Sequence, residues 1–196
     1  MEIAKKEKIF RLIYKCLKIL VYSFWISFLA LYLLCGGFLK VRFPLKYKEE
    51  ILKCSEEYQL DSSVVFSVIK VESNFNKNAV SKKGAIGLMQ IKKETAEYIA
   101  ELRGISEYDL FDAETNVDFG CYYLRYLLNK FEVLDTALCA YNAGEGKVNL
   151  WLVDKKYSSD GKTINKIPFN ETKRYVERTN KARIKYEKLL INIVDK

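Results

Sequence analysis

Residues 61–73 read DSSVVFSVIKVES. Asp61 stands as an N-cap in front of a run that predicts a helix over 62–73. In that helix Val65, Val68 and Ile69 fall at i, i+3 and i+4, and Glu72 falls at i+7. Helical geometry therefore sets the Glu72 carboxyl on the same stripe as three aliphatic side chains. A carboxyl placed there loses hydration, and desolvation raises its pKa by disfavouring the ionised form. A glutamic acid that keeps its proton near neutral pH can donate it to a leaving oxygen. The pattern alone is weak, because a glutamate near a helix end is ordinarily a solvated surface residue.

Outward from that stretch the sequence reads as helix after helix. A polar-faced helix is expected over 46–57, and another over 92–102, closed by Gly104 in the manner of a C-cap. A longer one over 114–130 carries Val117, Gly120, Cys121, Leu124 and Leu128 as an apolar stripe. Two more are expected over 133–142, stopping near Ala143-Gly144, and over 171–193. Strand alternation is missing apart from a short turn or hairpin around Tyr157–Ile167. The fold class is all-α or α-dominated, and 196 residues suit one ordinary domain with a short appendage.

The appendage is N-terminal. Residues 19–39, ILVYSFWISFLALYLLCGGFL, contain no charge and are bracketed by Lys18 and Lys40. As a helix they extend roughly 31 Å, close to the hydrocarbon thickness of a bilayer. A cleaved signal peptide would have a shorter apolar region and a small-x-small site, whereas Cys35-Gly36-Gly37 is the only small cluster here. The expected organisation is a cytoplasmic basic arm over 1–18, a single transmembrane helix over 19–39, a linker over 40–46 and a helical domain over 47–196. Lys5, Lys6, Lys8, Arg11, Lys15 and Lys18 outweigh Glu2 and Glu7 in the arm, but five cations follow the apolar run between Lys40 and Lys53, so charge alone barely orients it.

Composition excludes several chemistries. The chain has no histidine, so a Ser-His-Asp triad, a Cys-His pair and a His-containing zinc site are all ruled out. Its five cysteines never stand as Cys-x-x-Cys. Proton chemistry must then come from carboxylates, Tyr, Lys or Cys. The net charge of +8 comes without a nucleic-acid-binding motif, and suits a chain working near an anionic surface. Buried free thiols are the expectation for Cys54, Cys121 and Cys139. The cations of the last helix, from Lys173 to Lys188, read as a solvated face.

Four blocks carry the strongest signal: VESNFNKNAVSKKGAIGLMQIKKETA (71–96), LFDAETNVDFGCYYLRYL (110–127), ALCAYNAGEGKVNLW (137–151) and IPFNETKRYV (167–176). In this order and spacing they resemble the Slt-type lytic transglycosylase family, related to goose-type lysozyme, over roughly residues 47–180. The resemblance implies a lysozyme-like helical domain in which Glu72, followed by Ser73, is the catalytic glutamate. It implies that Gly87, Leu88, Met89 and Gln90 line the sugar groove, that Tyr141, Asn142, Ala143 and Gly144 form its opposite wall, and that Tyr175 stands near the catalytic carboxyl. The side-chain chemistry is compatible. Gly87 and Gly144 let backbone approach a bulky glycan, Met89 offers an adaptable apolar surface, and Gln90 and Asn142 offer donors and acceptors for acetamido groups. Tyr141 and Tyr175 offer stacking faces with a hydroxyl. Asn116, Gly120 and Leu124 read as supports of the fold. Lys92-Lys93, Asn78-Ala79 and Ala113 depart from the family, which often has proline at these places.

The implied activity is cleavage of the β-1,4 bond between N-acetylmuramic acid and N-acetylglucosamine with formation of a 1,6-anhydromuramoyl end. Glu72 would act first as acid and then as base, without metal or cofactor. Expected partners are peptidoglycan strands and, through residues 19–39, the lipid bilayer, with the catalytic domain on the wall side. A hydrolytic muramidase and a non-catalytic wall-binding module are the alternatives.

Overall fold

The computed structural model describes residues 2–194. Side chains of residues 1–9, 35–41 and 192–196 lie outside the described residues, and with them Lys5, Lys6, Lys8, Cys35 and Lys40. The chain divides into two compact units, Met1–Pro44 and Leu45–Lys196.

The first unit is one helix, α1 (Glu2–Arg42), which takes in the basic arm as well as the apolar run. Its segment Phe10–Leu34 is long and apolar enough to cross a membrane, with a mean hydropathy of 1.9. The described side chains along it are exposed all round. By length and composition, this segment is of the kind that a bilayer can surround.

The second unit holds α2 (Lys48–Glu57), α3 (Ser62–Glu72), α4 (Lys93–Arg103), α5 (Ala113–Phe131), α6 (Leu134–Ala143), α7 (Glu145–Val153) and α8 (Asn170–Val194). No strand occurs among the described residues, and the Tyr157–Ile167 segment is a turn in which the Tyr157 carbonyl accepts from Asn165 and Lys166. Helix α3 is the centre of the core. Val64, Val65, Phe66, Ser67, Val68 and Ile69 are all buried, so the helix is covered on every side. It starts as its sequence predicts, with the Asp61 carboxylate accepting from the Ser63 amide at 2.8 Å. Helix α8 packs along α3, and Tyr186 stacks on Phe66 with ring centroids 5.2 Å apart.

Helix α5 buries Val117, Gly120, Cys121 and Leu124 as expected, but its next buried leucine is Leu127, while Leu128 is only half-buried. Helix α7 is absent from the sequence-based expectation. Ala143-Gly144 reads there as a stop, yet Gly144, at φ 91°, turns the chain between two helices separated by that one residue.

Candidate active site

Helix α3 ends at Glu72, and Ser73 is its C-cap. The Glu72 carboxyl thus leaves the core at the floor of an open cleft of about 520 Å³, within the size range of small-ligand sites. One wall is the loop between α3 and α4, represented by Ser81, Lys82, Ala85, Gln90 and Lys92. The other combines Tyr123 of α5 with Tyr141, Asn142, Ala143 and Gly144 at the end of α6. Glu171, in the first turn of α8, also borders it.

The loop wall is built on a minimal antiparallel ladder. Ile86 pairs with both Val80 and Ile91, with amide-to-carbonyl bonds of 2.9 Å in each direction between Ile86 and Ile91. Asn116 of α5, fully buried, fastens the loop from behind: its Oδ1 accepts from the Met89 amide at 2.8 Å, and its Nδ2 donates to the carbonyls of Ile86 and Leu110. Gly87 is required by this arrangement. It has φ +82°, and a Cβ there would stand 2.1 Å from Asn116 Nδ2 and 2.6 Å from the Leu110 carbonyl oxygen. Gly120 plays the matching part on α5, because a Cβ would fall 2.2 Å from the Met89 sulfur.

Glu72 makes no ion pair among the described residues. Burial pushes its pKa up to about 7. Two groups pull the other way: the Tyr175 hydroxyl behind the carboxyl and the positive charge of Arg178, while Glu171 adds to the rise. The Tyr175 hydroxyl is itself buried and makes no regular hydrogen bond. It therefore biases the carboxyl without locking it. Burial, followed by the nearby Glu72 charge, raises the pKa of both Tyr141 and Tyr175, so both phenols stay protonated at neutral pH.

The structure sorts the expected site residues into two sets. Glu72, Gln90, Tyr141, Asn142, Ala143 and Gly144 line the cleft. Ser73, Gly87, Leu88, Met89 and Tyr175 do not. Leu88 and Met89 are fully buried, and Gly87 makes its close approach to Asn116 rather than to open space. The apolar surface expected of Met89 is accordingly turned into the core against Gly120, because Asn116 draws the loop down onto α5. Ser73 donates its hydroxyl to the Ile69 carbonyl. Tyr175 is buried behind Glu72, so its expected stacking face is not presented to the cleft.

Two amides in the cleft are half-engaged, in opposite senses. Gln90 donates its Nε2 hydrogens to the carbonyls of Ala79 and Gly87, at 3.1 and 3.0 Å, which leaves Oε1 as an acceptor. Asn142 accepts on Oδ1 from the Thr172 hydroxyl at 2.8 Å, which leaves Nδ2 as a donor. One free acceptor and one free donor on facing walls complement the N–H and C=O of an acetamido group. Tyr141 donates to the Met89 carbonyl at 2.9 Å, so its hydroxyl ties the two walls together beneath the cleft and its ring remains as surface.

Tyr123, Glu171 and the loop lysines Lys82 and Lys83 were not among the expected site residues. Tyr123 packs on Tyr141 at 5.6 Å between ring centroids, and it lies three residues beyond Gly120, a spacing that sets it on the helix face turned to the loop. Glu171 gives no comparable signal, since it reads as an ordinary first-turn acid; Lys83 binds it at 3.2 Å. Among the described residues, no group of three or more Cys, Asp or Glu side chains is placed to hold a metal ion.

Comparison with known proteins points one way. The profile of the transglycosylase SLT domain matches residues 49–165. The soluble lytic murein transglycosylase of Escherichia coli is 34% identical over 147 residues, which cover 71% of this chain and 22% of that protein. The membrane-bound lytic murein transglycosylase C of Photorhabdus laumondii is 33% identical over 168 residues, covering 72% of this chain and 46% of the relative. Among solved structures, an inactive glutamate-to-glutamine mutant of the lytic transglycosylase Slt from Pseudomonas aeruginosa superposes with a TM-score of 0.67 at 30% identity, over 77% of this chain and 25% of that one. The chain thus spans about a quarter to a half of the length of these relatives.

Proposed function

This chain belongs to the transglycosylase SLT family, and from that premise we propose that it is a membrane-anchored enzyme that cleaves peptidoglycan glycan strands with Glu72 as its acid and base. The observation that carries the reading is Glu72 itself: a carboxyl without an ion pair among the described residues, lining a sugar-sized cleft, with its pKa pushed up to about 7. About half of such groups hold a proton at neutral pH, and the other half are ready to accept one.

The chemistry follows from those two states. Protonated Glu72 gives its proton to the glycosidic oxygen between N-acetylmuramic acid and N-acetylglucosamine, and the bond to the muramoyl C1 breaks. The substrate's own N-acetyl group stabilises the cationic carbon, held between the Gln90 acceptor and the Asn142 donor. Glu72, now ionised, removes the proton of the C6 hydroxyl, whose oxygen closes onto C1 as a 1,6-anhydro ring. The proton count balances, no water is consumed, and the enzyme returns to its starting state. The span Phe10–Leu34 would hold the domain at the membrane, as the name of the Photorhabdus relative says of that protein, with the domain on the side where the wall lies.

One observation favours a second reading, hydrolysis. Glu171 borders the same cleft, and two carboxylates are the usual equipment of glycosidases. Its ion pair with Lys83 argues against that role. The test is the mass of muropeptides released from purified peptidoglycan by the full chain in detergent. Products lighter by one water with 1,6-anhydro ends are expected. Reducing ends would replace this reading by hydrolysis, and binding of strands without release would replace it by a wall-binding module.

A further inference from the structure

Resting on the peptidoglycan reading, we propose that the loop wall of the cleft selects glycan strands by charge, preferring those whose peptide stems carry free carboxylates over those whose stems are amidated. The two walls differ in kind. Lys82, Lys83 and Lys92 all stand on the loop side, whereas the facing wall of Tyr123, Tyr141, Asn142, Ala143 and Gly144 carries no charge. Lys83 is matched by Glu171. Lys82 and Lys92 are exposed and make no ion pair among the described residues, so they leave one wall with two uncompensated cations.

These cations sit on a stiff support. Lys92 directly follows Ile91, and Lys82 lies two residues beyond Val80; both flank the ladder centred on Ile86, which Asn116 fastens to α5. A flexible loop would average the two charges over solvent, but here their backbone positions are fixed relative to Glu72. The muramoyl sugar that Glu72 attacks is the one that bears the peptide stem, so the stem must leave the cleft close to the reacting bond. In the proposed pose the sugar rings lie on the uncharged aromatic and amide wall, and the stem leaves on the side of the lysines. The anion is expected on the stem and not on the sugar, since a substituent on the C6 hydroxyl would block ring closure. Exposed charge pairs give modest selectivity, and they give it mainly in capture of the substrate.

The experiment compares two peptidoglycan preparations that differ only in stem amidation, using the full chain in detergent and measuring initial rates at several salt concentrations. The wild type is expected to show a KM about five-fold lower on the free-carboxylate strands, a preference that shrinks as salt rises. The double variant Lys82→Ala, Lys92→Ala is expected to lose the preference, while Lys155→Ala, an exposed lysine outside the cleft, keeps it. Equal KM values for the wild type, or a preference that survives in the double variant, would overturn charge selection. Cleavage of neither preparation would overturn the peptidoglycan reading, and this inference with it.

Discussion

Glu72 and Asp118 are both carboxylates drawn into the body of the protein beside a cleft, and the fold treats them oppositely. Asp118 is saturated: its Oδ1 accepts from the Tyr58 hydroxyl at 2.6 Å and its Oδ2 from Arg103 at 2.5 Å. Arg103 is in turn laid over the rings of Phe119 and Tyr122. The neighbouring Lys53 and Glu114 pair with each other, so the charges around that second cleft are largely answered. Glu72 has no ion pair among the described residues, and the Tyr175 hydroxyl beside it makes no regular hydrogen bond. A carboxylate given every partner is held in place by them and serves the fold. A carboxyl desolvated but left without an ion partner is poised between two states and serves chemistry.

The comparison breaks first at activity. Glu72→Gln keeps the shape of the side chain and removes the exchangeable proton, and muropeptide release should fall about 10³-fold while the helical circular dichroism stays unchanged. A variant that retained turnover would make Glu72 a bystander.

Stability should answer in the reverse order. Asp118→Ala strands Arg103 and the Tyr58 hydroxyl, both partly buried, and should cost about 3 kcal/mol, with activity per folded molecule preserved. Denaturant unfolding and specific activity together check this. Glu72→Gln should instead stabilise the protein, and only at higher pH. The folded-state pKa of Glu72, about 7, lies above its ordinary value of 4.5, so between these values the folded protein holds a proton that the unfolded chain releases. Stability contributed by that proton fades as pH rises through this window. The advantage of the glutamine should therefore be absent near pH 4 and reach about 2 kcal/mol above pH 8, after allowance for water in the open cleft.

The smallest effect concerns the neighbour. Glu171→Gln removes a negative charge that raises the Glu72 pKa and frees Lys83. The pH at which the rate begins to fall on the alkaline side should move lower, with the maximal rate changed little. A collapse of that maximum would give Glu171 a direct part in the reaction and favour hydrolysis.

Legibility in the sequence followed the range of the interactions. The period of 3.6 in 62–73 placed Glu72 beside Val65, Val68 and Ile69, and the structure holds all three fully buried. The Asp61 and Gly104 caps are set by residues next to them, and both appear. What escaped is either too short to leave a pattern or depends on partners distant in sequence. The ladder at Ile86 consists of isolated pairs, too short to leave an alternation. The inward turn of Met89 is decided by Asn116, 27 residues away. Glu171 borders the cleft beside Lys83, its ion partner 88 residues earlier. Helix α7 was hidden for a local reason, since Gly144 imitates the end of a helix when it only bends the path between two.

The central claim is that Glu72 is a desolvated carboxyl poised near neutral pH, and a carbon-13 NMR titration of glutamate carboxyls in the full chain, wild type against Glu72→Gln, tests it most directly. The account predicts one carboxyl resonance with a midpoint near pH 7 that disappears in the variant. A Glu72 resonance titrating near pH 4.5, together with the other glutamates, would contradict it.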